Sequence, residues 1–124
     1  MTEAAAPQTD TADRVRTAAN AALDRKALDL KILDLSGVSD FTDYFVLCSG
    51  SSDRQVRAIA DHVQEKLREQ GLRPLHVEGH DLGRWVLLDY GDFLLHVFDQ
   101  ETRDFYQLER LWSDAAEVTA ELVG

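Results

Sequence analysis

The sequence predicts an α/β domain built on a mixed sheet of about five strands flanked by helices. Three observations carry this. Tyr44–Cys48 is an unbroken apolar run, the pattern of a strand covered on both faces. It is followed by a stretch with helical periodicity and then by another extended segment, which implies a right-handed parallel crossover. Further on, two alternating segments separated by a glycine turn read as a hairpin.

The elements follow in order. Residues 1–9 read as a disordered tail of Ala, Thr, Gln and Pro, and residues 10–124 as a single domain. A helix begins at Asp10 or Thr11, with Val15, Ala18, Ala19, Ala22 and Leu23 at helical spacing. Its apolar face is thin and alanine-rich, suited to close packing. Residues 28–35 read as a strand with Leu28, Leu30 and Ile32 on one face and Leu33 and Leu35 on the other. The Tyr44–Cys48 strand leads through Ser49-Gly50-Ser51-Ser52-Asp53 into an amphipathic helix. Ser52 and Gln55 have capping-box spacing, Val56, Ile59, Ala60, Val63 and Leu67 form the buried stripe, and Gly71 stops the helix. Residues 72–78, LRPLHVE, read as a strand. Arg84–Asp89 and Asp92–Phe98 form the hairpin, linked by Tyr90-Gly91. The last part reads as helical, with Phe105, Leu108, Leu111 and Trp112 on one side. Ser113 or Asp114 then caps a final turn carrying Val118 and Leu122.

Composition narrows the function. The 44% hydrophobic content is that of a globular chain, and no apolar run approaches the roughly 20 residues of a membrane span. The opening MTEAAAPQTDTA has neither the charge nor the apolar stretch of a targeting segment, and Cys48 is the sole cysteine, so a cytosolic protein without disulfides is expected. With 23 acidic against 13 basic side chains, the net charge is −10. Such a surface is repelled by a bare phosphate backbone and attracted to a basic protein.

Few residues are arranged for chemistry. The Ser49-Gly50-Ser51 turn enters a helix N-terminus, where backbone N–H groups can hold an anion, and Gly-Ser resembles the first half of a nucleotidyltransferase signature. That reaction needs two or three carboxylates to hold divalent metals, yet the next strand offers only Glu78, and Asp89 and Asp92 flank a turn at the wrong spacing. His62, His76, His80 and His96 form no ligand set and read as surface or half-buried histidines. No metal, cofactor or catalytic residue is expected. In Gly83–Asp92, alternation puts Trp85, Leu87 and Asp89 on one face and Val86, Leu88 and Tyr90 on the other. A tryptophan there serves either as core or as a partner's anchor, and the sequence leaves both open.

Several motifs resemble the Iojap-like family of ribosomal silencing factors. They are Asp24–Ala27, Phe41–Phe45, Ser49–Val56, His76–Gly79, Trp85–Asp92, His96–Phe98, Phe105-Tyr106 and Leu108–Trp112, in the family's order from about Ala12 to Asp114. The resemblance implies a nucleotidyltransferase-like fold that has lost its catalytic carboxylates. It also implies a non-enzymatic role: binding the large ribosomal subunit through its basic ribosomal protein fourteen, blocking association with the small subunit, and repressing translation under nutrient limitation. On that basis the interface draws on Trp85, Leu87 and Tyr90 as apolar anchors, with Asp89 and Asp92 facing basic groups. The competing readings are a nucleotidyltransferase with an unusual metal site, active or degenerate, and a homodimerisation module, since an exposed apolar strand can pair with a copy of itself.

Overall fold

In a computed structural model, residues 10–123 are described; residues 1–9, read above as a tail, lie outside them. Helix α1 (Thr11–Asp24) starts where the Asp10 carboxylate accepts the Asp13 N–H, and it buries Val15, Ala18, Ala19, Ala21 and Ala22. With alanines in the contact, its backbone lies close against helix α2 (Asp53–Glu69), whose buried residues are Val56, Ile59, Ala60, Val63 and Leu67, the stripe expected from periodicity. Ser52 caps α2 by accepting the Gln55 N–H. The Gln55 side chain departs from the simple box: it accepts from the Ser51 N–H and donates to the carbonyls of Arg25 and Lys26, tying the helix start to the turn after α1.

Between these helices and the opposite surface lies one sheet. Its strands are β1 (Leu28–Asp34), β2 (Tyr44–Gly50), β3 (His76–Glu78), β4 (Trp85–Asp89), β5 (Phe93–Asp99) and β6 (Ala116–Glu117), in the order β3-β4-β5-β2-β1-β6. Only β2 and β5 are parallel; every other pair is antiparallel. β3 therefore runs in the direction of β2, as the crossover requires, but with β4 and β5 between them.

Four sequence expectations are corrected. Ala116–Glu117, expected to be helical, instead adds a short strand to the β1 edge before a short helix α5 (Thr119–Leu122), giving six strands where about five are expected. The 72–78 strand shortens to His76–Glu78, since Pro74 has no N–H to give a ladder. The hairpin turn sits one residue later: Tyr90 N–H donates to the Phe93 carbonyl, so Gly91-Asp92 make the link. The C-terminal helix is broken into α3 (Gln100–Tyr106) and α4 (Leu108–Leu111) by Gln107 in the left-handed region (φ 48°), which turns Phe105 (79% exposed) and Leu111 (73% exposed) to solvent. Leu108 and Trp112 still pack inward.

The core has two parts. Ile32, Val46, Cys48, Val86, Leu88, Phe93, Leu95 and Val97 face α1 and α2. On the other face, Leu33, Leu35, Phe45, Leu47 and Phe98 pack with Trp85, Leu94, Leu108 and Trp112. Both faces of β2 are thus covered, as the apolar run predicts; Cys48 lies inside, where burial pushes its thiol up to about 12. His96 contradicts its expectation. It is 4% exposed in the second part of the core, where burial lowers its pKa to about 3. Buried Arg103 fixes α3 over this face by donating to Ser49 Oγ and, twice, to Glu109.

Two outcomes follow. In the unfolded chain His96 takes up a proton near 6.5, but in the fold it stays neutral down to about 3. Its contribution to stability is therefore complete above pH 6.5 and is lost as pH falls through this window. Denaturant melts should show His96 costing about 2 kcal/mol between pH 7.5 and 5, a loss missing from His96→Phe. The second concerns turns. Gly79 has φ +81° and a Cβ there would lie 2.0 Å from the Trp85 carbonyl oxygen, whereas Gly71 (φ +83°) has nothing within 4 Å. Gly79→Ala should cost roughly 2–4 kcal/mol of stability and Gly71→Ala only about 1; equal costs in denaturant titrations would mean that the Trp85 carbonyl yields.

Candidate functional site

The sheet face away from α1 and α2 is only partly covered. α3, α4 and Trp112 shield its β1–β2 side, while the β3–β4 side carries no helix among the described residues. Register determines what lies there. One cross-strand row runs Glu78, Leu87, His96, Leu47; the next runs His76, Asp89, Leu94, Phe45. Trp85, Leu87 and Asp89 are half-exposed on this face, with Val86 and Leu88 buried behind them, as alternation requires.

An aromatic series runs beneath this face and surfaces at its ends, with His96 and Phe45 buried in its middle. Tyr106 lies 4.8 Å (ring centroids) from Trp85, which lies 5.9 Å from His96. His96 is 4.6 Å from Phe45, Phe45 is 5.7 Å from Trp112, and Trp112 is 5.9 Å from the exposed Phe41. The indole N–H of Trp85 donates to His96 Nδ1 at 3.1 Å, so the polar edge of the ring points inward. Leu87 and Leu94 flank this series, Leu87 paired with His96 and Leu94 with Phe45. The result is a broad, shallow apolar surface with no convergent polar groups, shaped for a macromolecule rather than a small substrate.

The five residues singled out from the sequence do not form one patch. Trp85, Leu87 and Asp89 share the open face. Tyr90 packs on the helix side, stacked on Phe93 at 5.0 Å; burial pushes its hydroxyl up to about 12, against a smaller opposing pull from Arg68 on α2. The turn at Gly91 does not rotate it to join Trp85. Asp92 is exposed beside α1, its Oδ2 accepting from Thr11 Oγ1 at 3.4 Å and from Arg14 at 3.3 Å. Asp89 Oδ1 accepts the Gly91 N–H and so shapes the turn. Sequence reasoning missed Leu94, Phe41 and Tyr106, which register and the break at Gln107 bring alongside.

The Ser49-Gly50-Ser51 turn is occupied by structural contacts. Ser49 Oγ accepts from Arg103, and Ser51 is held by Gln55. The carboxylate register places beside Gly50 is Asp99, which caps α3 by accepting the Thr102 N–H. Among the described residues no group of three or more His, Cys, Asp or Glu is placed to hold a metal, and no helix is long and apolar enough to cross a membrane.

Comparison with known proteins agrees over nearly the whole chain. Residues 8–123 match the model of the family described as ribosomal silencing factor during starvation. The ribosomal silencing factor RsfS of Bacillus subtilis is 45% identical over 101 residues, covering 82% of this chain and 86% of its own length. A mouse relative, named mitochondrial assembly of ribosomal large subunit protein 1, is 31% identical and covers 70% of this chain and 40% of its own. A crystal structure of a Chromobacterium violaceum protein superposes with a TM-score of 0.83 at 37% identity, covering 85% of this chain and 88% of that one. The extent of the match, in sequence and in fold, places this chain in the ribosomal silencing factor family.

Proposed function

We propose that this protein acts without catalysis, as a cytosolic repressor that binds the large ribosomal subunit and keeps the small subunit from joining it, lowering translation when nutrients are scarce. The docking partner is large-subunit ribosomal protein fourteen, and block of subunit joining is steric. The observation that carries this reading is the partly open apolar face: Trp85, Leu87 and Leu94 are half-exposed on the sheet, with Glu78 and Asp89 beside them. An apolar centre with an acidic margin suits a basic protein surface. The names borne by the relatives, silencing factors and one assembly protein of the large subunit, point to the same kind of partner. The contact set is Trp85, Leu87, Asp89 and Leu94; Tyr90 supports the strand from behind, and Asp92 contributes at the hairpin tip.

Leu87 tests this more cleanly than Trp85, whose ring also packs against Phe98. Leu87→Asp should lower affinity for isolated large subunits by about ten-fold or more, since it places an unpaired charge in the centre of an interface. Its melting temperature should change little, because Leu87 is half-exposed. Full binding by Leu87→Asp would move the interface elsewhere. A second measurement addresses charge. With a net charge of −10, association with large subunits should slow as salt rises past physiological strength, where the Debye length is about 8 Å, while dissociation changes less. A salt-independent association rate would rule out steering.

A further inference from the structure

We propose that His96 is a positioning residue for the partner-binding face: its neutral Nδ1 accepts the Trp85 indole N–H and thereby fixes the angle at which the tryptophan ring is offered to the partner. This rests on the reading that Trp85 belongs to the interface.

The geometry singles out this pair. Trp85 sits at the margin of the second part of the core, half-exposed, with neighbouring rings at 5.0 Å (Phe98) and 4.8 Å (Tyr106). Neither dictates a single orientation, because both contacts are tilted and apolar, and Tyr106 is itself 49% exposed. The 3.1 Å hydrogen bond to His96 is the one directional contact of the indole N–H. His96 is well suited to hold it. It lies on the adjacent strand β5, in the row next to Trp85, and is clamped by Phe45 at 4.6 Å and by Phe98, stacked at 6.0 Å. With Nδ1 accepting, the ring proton must be on Nε2, and Nε2 is buried without a hydrogen-bond partner among the described residues. A phenylalanine would fill this apolar site without that orphan group. The imidazole therefore contributes something that packing does not, and the acceptor for Trp85 is the feature the structure offers. Neutrality matters too, because a protonated ring would have two donors and nothing for the indole N–H to meet.

The test is a double-mutant cycle read in binding. Trp85→Phe keeps an aromatic ring but removes the N–H; His96→Phe keeps the clamp but removes the acceptor. His96→Asn puts an oxygen near the Nδ1 position. Affinity for purified large subunits, measured beside thermal melts of each variant, should fall about five-fold in His96→Phe, the worth of one neutral hydrogen bond. It should fall no further when His96→Phe is added to Trp85→Phe, and His96→Asn should bind better than His96→Phe. Equal loss from His96→Phe in both backgrounds would make His96 merely structural and overturn the proposal, as would wild-type affinity in His96→Phe. If His96→Phe does not fold, His96→Asn decides: wild-type binding that persists when Trp85→Phe is also present sinks the idea. Trp85→Ala separates the layers. If it binds as well as wild type, the interface reading of Trp85 fails and this inference with it; if it loses binding while His96→Phe does not, only the inference fails.

Discussion

A sheet whose central pair β2–β5 is apolar on both faces has to be sealed on both, and the two long helices among the described residues lie on the same side. α1 and α2 cover most of one face, the alanines of α1 allowing the two to lie close together. The opposite face is sealed only where short α3 and α4 reach, anchored by buried Arg103 between Ser49 and Glu109. Beyond the contact of Tyr106 with Trp85, they leave the β4 surface open. The position of the candidate interface is therefore a consequence of how the cover is distributed rather than of any special motif, and the aromatic series from Tyr106 to Phe41 marks the line between sealed and open sheet.

Where local physics decided the structure, the sequence was legible. The α2 stripe, the Ser52 cap, the two-sided burial of β2 and the alternation of β4 each follow from periodicity within one segment. Where distant pairing decided it, the sequence was not. Phe105, Leu108, Leu111 and Trp112 have helical spacing, yet the chain turns at Gln107. Arg103 and Glu109 explain why. Six residues apart on an unbroken helix they would be separated by about 9 Å of rise and would point in different directions, so the two hydrogen bonds from Arg103 to Glu109 Oε2 need the chain to turn between them. The two-residue β6 carries no local signal at all; it forms because the β1 edge offers the Ile32 carbonyl to the Val118 N–H.

The same division runs through the site. Alternation alone put Trp85, Leu87 and Asp89 on one face. It also put Tyr90 on the other, and the family resemblance did not alter that. Leu94 was out of reach because its neighbour Asp89 is assigned by the hairpin register, and the register depended on a turn that lies one residue beyond its expected place. His96 was misjudged for a related reason. In a single strand its neighbours are Leu95 and Val97, which say nothing about a buried imidazole. Its environment is made by Phe45, Trp85 and Phe98 from the second face, and a tryptophan N–H in need of an acceptor is visible only once β4 and β5 are paired.

Under the proposed function, an apolar face that stays open between encounters must bind its partner without binding its own copies. Two features of the chain oppose self-association. Its outermost strands are short, three residues in β3 and two in β6, so each offers little ladder for another strand to extend. Its net charge of −10 sets copies against each other at the same contact distance where it draws a basic surface in. The charges at the open face itself are of one sign on β4, where Asp89 stands next to Leu94, and on β3, where Glu78 stands next to Leu87. Two such faces brought together would bury carboxylate against carboxylate, a cost that a partner bearing Lys or Arg does not meet. Under the proposed function, the same acidity that repels a phosphate backbone sets specificity at this face.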